Sequence, residues 1–385
     1  MLQFPIYLDN NATTPVDERV LETMLPFYTK YFGNAASHTH SFGWQAEEAV
    51  DIAREQVAQL INAQPSEIVF TSGATESDNL ALKGIFEMYA AKGKHIITVK
   101  TEHKAVLDSC KHLEKLGAEI TYLDVNSDGL INIEELENSF RDNTILLSIM
   151  YANNEIGVIQ PVDEISKIAK NKGILFFTDA TQAVGKIPVN VLKDGIDLMA
   201  FSAHKIYGPK GVGALYVRRK DPRVRITAQM DGGGHERGMR SGTLNVPAIA
   251  GFGKACELCK VQMQKDVAKT RRLRDKLENE LLQIEGTQVN GSRIHRLPNT
   301  LNMSFKNVDS TDVMKRFSRN IALSSGSACT SATQSPSFVL KALGLPDDVA
   351  LSSLRFGLGR FTTEEEIDFT IQQFQHLIAS FADRK

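Results

Sequence analysis

The sequence predicts an α/β fold. A large domain is built on a mostly parallel sheet flanked by helices, and a smaller α+β domain sits beside it. Short apolar runs recur at 67–71, 95–99, 119–124, 145–151, 174–178, 196–202 and 213–218. Amphipathic helical stretches separate several of them; one places Val50, Ala53, Val57 and Leu60 on a single face. Strand–helix alternation of this kind builds a parallel sheet covered by helices. Polar residues also gather just beyond the apolar runs, where open α/β sheets bind their ligands.

The strand ends can be taken in order. Ser72, Gly73, Ala74 and Thr75 follow the first run, and Thr101, Glu102 and His103 follow the second. Asn153, Asn154 and Glu155 follow the fourth, then Asp179 and Gln182, and last Ser202, His204 and Lys205. From about 256 to 284 the pattern becomes one long helix with Leu273, Leu277, Leu281 and Ile284 on its buried stripe and Gly286 as a stop. Residues 299–305 read as a strand, and the tail alternates short elements. The expected division is a large domain over 16–259 and a small domain formed by 1–15 with 260–385.

Composition narrows the class. The 385 residues are 42% hydrophobic and 23% charged with a net charge of −2, an ordinary globular balance without the basic footprint of a nucleic-acid binder. No apolar run approaches the roughly 20 residues that span a bilayer. The N-terminus lacks a signal peptide's basic flank and apolar centre. Four irregularly spaced cysteines read as free thiols, so a reducing cytoplasmic setting is expected.

Lys205 lies in Ser202-Ala203-His204-Lys205, directly after an apolar run. A lysine beside low-dielectric surroundings has a lowered pKa and exposes a neutral amine, the condition for a Schiff base to a carbonyl cofactor. Asp179 ends another apolar run and supplies a carboxylate for a pyridinium nitrogen. Together they point to pyridoxal phosphate, PLP. Residues 71–77 follow a strand and open a helix with small residues, which suits a phosphate. His103 could stack on a flat cofactor and carry protons. Cys329 sits in the small, polar, glycine-containing stretch 324–336, where a nucleophile would be exposed.

Two patterns are set aside. Residues 124–135 match a calcium loop in their oxygen side chains and glycine, but the run before them reads as a strand instead of the required helix. Cys256 and Cys259 have metal or redox spacing but stand without a second ligand pair. His38 and His40 read as surface or rim residues, and no metal site is expected.

The motif strings extend the picture. They include residues 7–15, 33–37, 71–77, 101–105, 153–157, 179–182, 202–211, 233–243, 325–331 and 354–360. In this order they resemble the IscS/NifS-type cysteine desulfurases, PLP enzymes of fold type I in the class V aminotransferase group. The resemblance implies that Lys205 holds PLP, Asp179 pairs with its ring nitrogen, His103 stacks on the ring and Gln182 bonds the ring hydroxyl. It implies that Ala74, Thr75, Ser202 and His204 hold the phosphate. In a homodimer, Thr243 would reach the phosphate held by the other subunit. Asn154 and Arg355 would orient the substrate, with Arg355 forked onto its carboxylate. The implied activity converts L-cysteine to L-alanine, leaves a persulfide on Cys329, and supplies iron–sulfur cluster assembly or another sulfur-transfer route. Lys205, Cys329 and His103 would be the catalytic groups. A selenocysteine lyase or another class V enzyme is the alternative. Housekeeping members extend beyond the position of Lys385 with a segment that docks an iron–sulfur scaffold protein, so a NifS-like role or a different sulfur acceptor is kept alongside.

Overall fold

The computed structural model describes residues 2–306, 308–325 and 335–382. Among them the strands are β1 (Ile6–Tyr7), β2 (Ile68–Thr71), β3 (His95–Val99), β4 (Glu119–Leu123), β5 (Thr144–Ser148) and β6 (Leu175–Asp179). They continue with β7 (Leu198–Ser202), β8 (Gly213–Val217), β9 (Thr287–Val289), β10 (Thr300–Phe305), β11 (Ile321–Ala322) and β12 (Ser353–Gly357).

The seven expected runs become one sheet of order β2-β8-β7-β6-β5-β3-β4. All its strands share one direction except β8, which runs against both neighbours. Every strand but the edge strand β4 is buried along its whole length. Ile97, Leu147, Phe176 and Met199 face one apolar core, and Ile96, Leu146, Phe177 and Leu198 face another. A sheet covered on both faces needs apolar residues at successive positions, which explains the unbroken runs.

The helix Ser41–Ile61 and the first half of the helix Val246–Leu281 cover one face; Ala74–Met88 and Lys104–Lys115 cover the other. Val50, Ala53, Val57 and Leu60 are buried, as their spacing predicts. The first two helices touch closely at Gly253, where a Cβ would lie 2.5 Å from Ala53 Cα. The long helix begins at Val246, earlier than the predicted start near Cys256, because Asn245 caps it through Ala248 N (3.2 Å) and a proline sits in its first turn. That first half is rich in Ala and Gly, so it shows no leucine stripe.

The helix has 36 residues and so runs about 54 Å. Its second half leaves the large sheet. Leu273, Leu277 and Leu281 pack with Leu301, Met303, Phe305 and Phe356 on the antiparallel sheet β12-β10-β9, and with Phe374 of the C-terminal helix Glu364–Ala382. Ile6 and Leu8, at the other end of the chain, join this core.

The patterns set aside have structural explanations. Asn126 Oδ1 accepts from Asp128 N and Leu130 N, Asn132 caps the helix Ile133–Ser139, and Asp124 pairs with Lys100 at 2.7 Å. The calcium-like spacing is therefore a turn feeding a capped helix. Cys256 and Cys259 are both buried in the core helix, where burial raises their thiol pKa values. His40 caps Ser41–Ile61 through Gly43 N, and exposed His38 faces Glu47. Among the described residues, no helix is long and apolar enough to cross a membrane.

Candidate active site

The polar strand ends converge on one cavity of about 550 Å³. Ala74, Thr75, His103, Asn154, Asp179, Gln182, Ser202, His204, Lys205 and Arg355 all line it. Thr243 does not; it is exposed on the surface of the single chain. Cys329 lies outside the described residues. A second cavity of about 500 Å³, between the N-terminal helices and the long helix Val246–Leu281, is lined by Phe27, Tyr31, Ala49, Ile52 and Ala250 and meets no strand end.

Lys205 ends a single 3₁₀ turn after β7. Its Nζ donates to the carbonyls of Asn11 and Ala12, both at 2.6 Å. Desolvation and then the Arg355 charge pull its pKa down to about 8, against the opposing charges of Asp179 and Asp9. His204 is drawn down to about 4, by burial and then by Lys205 and Lys210, so it is neutral at pH 7. Its Nδ1 pairs with Thr13 Oγ1 at 3.1 Å.

The anion end of the cavity is built from backbone. Gly73 precedes the helix Ala74–Met88 with φ of 155°, and no side chain caps that helix. Gly213 makes the turn possible, because a Cβ there would strike Gly73 Cα at 2.7 Å. The free N–H groups and helix dipole face the cavity beside the hydroxyls of Thr75 and Ser202.

Asp179 ends β6 and accepts from Thr181 N at 2.9 Å. Beneath it lies a polar layer that residue spacing did not disclose. Asp78, from the covering helix, is fully buried with both carboxyl oxygens unpartnered, and Glu102 Oε2 is likewise unpartnered. Desolvation pushes both carboxyls well above their ordinary range, and Asp179 adds to each shift. Asp78, His103 and Asp179 offer ligand atoms within 4.8 Å of one another. The raised pKa of Asp78 favours a neutral acid, which is a weak ligand, so we read the group as support for Asp179.

Asn11 is the residue the sequence reading overlooked. Its carbonyl accepts from both Lys205 Nζ and Gln182 Nε2 (2.9 Å), and its Nδ2 donates to Asn154 O at 3.1 Å. Gln182 Oε1 in turn accepts from Lys186, a half-buried lysine whose pKa desolvation holds far down. Arg355, on β12, donates from Nη1 to Asn154 O (3.1 Å) and from Nη2 to Asp9 (2.8 Å). Asn11 stood inside a quoted motif, but its work is done by a main-chain oxygen that residue type does not reveal.

An uncapped helix N-terminus, a poised amine and a buried carboxylate in one cavity define an α/β enzyme built to hold an anionic carbonyl cofactor. The chain belongs to the class-V aminotransferase family, whose model matches residues 6–369. It is 58% identical over 384 residues to the cysteine desulfurase IscS of Pasteurella multocida strain Pm70, covering 99% of this chain and 95% of the relative. The cysteine desulfurase IscS of Serratia proteamaculans strain 568 is 57% identical over the same shares. The solved structure of a NifS-like protein superimposes with a TM-score of 0.90 at 40% identity, covering 98% of this chain and 100% of that one. A structure of SspA in complex with cysteine gives a TM-score of 0.82 at 38% identity, covering 93% and 100%. The fold is fold type I of the PLP enzymes, and PLP is the cofactor that this donor set fits.

The Lys205 pKa sets a measurable expectation. Only the neutral amine captures a carbonyl, so cofactor uptake by the apoprotein accelerates as pH rises and levels off above about 8. Absorbance of bound PLP, followed across a pH series, checks this; a rate flat between pH 6 and 9 would contradict it.

Proposed function

We propose that this chain is a PLP-dependent cysteine desulfurase that converts L-cysteine to L-alanine and passes the sulfur to Cys329. The observation that carries this reading is the meeting of Lys205, Asp179, the uncapped helix N-terminus and Arg355 in one cavity. The cysteine desulfurase relatives support the activity, and the cysteine-bound SspA structure supports the substrate.

Ala74 N–H, Thr75, Ser202 and His204 would hold the phosphate. Asp179 would face the ring nitrogen, with the buried carboxyls of Asp78 and Glu102, both pushed well above their ordinary range by desolvation, behind it. Gln182 would meet the ring hydroxyl and His103 would cover the ring. Bound PLP supplies an electron sink that lets the substrate lose its α-proton. Lys205 Nζ takes that proton and returns one later. Arg355 and Asn154 orient the substrate carboxylate. His103 Nδ1 accepts from Ala105 N at 3.2 Å, which leaves Nε2 as the ring atom that would exchange a proton with the substrate thiol. The thiolate of Cys329 attacks the substrate sulfur; the C–S bond breaks as the S–S bond forms. L-Alanine leaves, and the persulfide carries one sulfur to an acceptor protein such as an iron–sulfur scaffold.

The cavity lies between two domains, 16–259 and 1–15 with 260–385. The separate core that unites Ile6 and Leu8 with Leu301 and Phe356 supports this division. The enzyme works as a homodimer in the cytoplasm. Thr243, exposed on one subunit, completes the phosphate site of the other, and the free buried thiols of Cys110, Cys256 and Cys259 accord with a reducing compartment.

The test follows alanine release and Cys329 persulfide together. Wild type is expected to give both, and Cys329→Ala neither. Alanine release that survives the substitution would overturn the role of Cys329. No alanine from PLP-loaded wild type would overturn the substrate.

A further inference from the structure

Arg355 already has a carboxylate. Its side chain is almost wholly buried, and Nη2 donates to Asp9 Oδ1 at 2.8 Å. Nη1 is held by Asn154 O at 3.1 Å, and Nε is buried without a partner. A carboxylate grips a guanidinium bidentately either end-on, through Nη1 and Nη2, or side-on, through Nε and Nη2. Both forks use Nη2. An incoming carboxylate must therefore displace Asp9 or sit against it as a like charge.

Asp9 can yield without disturbing the fold. Its backbone is fixed independently: its carbonyl accepts from Ala12 N at 3.0 Å and from the Tyr7 hydroxyl at 3.1 Å, and it bridges to Gly357. Its side chain is partly exposed, whereas that of Arg355 is not. The pair thus joins a fixed guanidinium to a carboxylate with room to turn away.

The geometry points to Asp9 as a resident competitor for the substrate carboxylate, a positioning and specificity residue that acts through Arg355. Between turnovers it keeps the buried guanidinium neutralised and aimed. On binding it must be displaced, which weakens every carboxylate ligand, the product included, and so favours product release. This inference rests on Arg355 as the carboxylate receptor.

The experiment titrates PLP-loaded enzyme with L-alanine and with ethylamine, which is alanine without its carboxylate, following the absorbance of the bound cofactor. Asp9→Asn keeps an oxygen acceptor for Nη2 but removes the charge. It is expected to bind L-alanine about tenfold tighter than wild type, with ethylamine unchanged, and Asp9→Glu is expected to restore the wild-type affinity. A merely structural Asp9 predicts the opposite: the freed Arg355 wanders and L-alanine binds more weakly. If wild type prefers L-alanine to ethylamine but Asp9→Asn leaves alanine affinity unchanged or lowers it, the competitor role is overturned and Arg355 stands as receptor. If wild type does not distinguish the two ligands, the Arg355 assignment fails and this inference falls with it.

Discussion

Lys205→Ala is expected to lower alanine release from L-cysteine at least about ten-thousandfold, because one side chain provides both the cofactor tether and the base. The same position should show a trade between function and stability in the cofactor-free protein. Its pKa falls from an ordinary 10.5 to about 8 on folding, chiefly through desolvation. Between those values the unfolded chain holds a proton that the folded chain has released, so stability rises with pH through this window and is penalised below it. Apo Lys205→Met should therefore be more stable than apo wild type by roughly 2–3 kcal/mol at pH 7, the gap closing as pH climbs from 8 towards 10.5. Denaturant unfolding at several pH values measures this. An apo variant no more stable than wild type at pH 7 would show that the amine is not strained by burial.

The largest stability effect is expected at Arg54. From the helix Ser41–Ile61 it grips Glu236 through two bonds, 2.8 and 2.7 Å, and also donates to Ile68 O at 2.8 Å. Glu236 accepts in addition from Phe70 N at 2.8 Å, so this ion pair binds the segment 233–243 onto β2. Both partners are almost fully buried. Arg54→Ala leaves an unpaired buried carboxylate, a loss of roughly 3–5 kcal/mol. Replacing both partners together, as Arg54→Met with Glu236→Leu, should recover part of it, since an apolar pair leaves no orphaned charge. A denaturant midpoint for Arg54→Ala equal to wild type would contradict the assignment. Because Thr243 lies on the same segment, the pair also explains how an exposed threonine can be held at a defined place.

The strands of the large sheet, β4 apart, were legible because each is buried on both faces, and continuous apolar runs bounded by polar ends have few other readings. The antiparallel course of β8 was not, since apolar content carries no strand direction. The first half of the long helix was missed because Ala248, Gly251, Gly253 and Ala255 serve close packing and leave no periodic mark. In the cavity, side chains at strand ends such as Asp179, Ser202 and Lys205 were legible from their position after a run. Asp78 and Asp9 were not: each is one of many charged residues in the chain, and only the packing of distant segments sets Asp78 beneath Asp179 and Asp9 on Arg355.

The carbonyl of Asn11 takes hydrogen bonds from both Lys205 and Gln182. Every amino acid possesses that oxygen. Alanine scanning at position 11 would delete the amide that reaches Asn154 and Thr300 while leaving the acceptor in place. The bearing of the reactive amine is thus written into chain path instead of chemistry, and it is sheltered from point substitution. Variants selected for new amino-acid substrates can alter the carboxylate and side-chain contacts freely and still inherit a correctly aimed lysine.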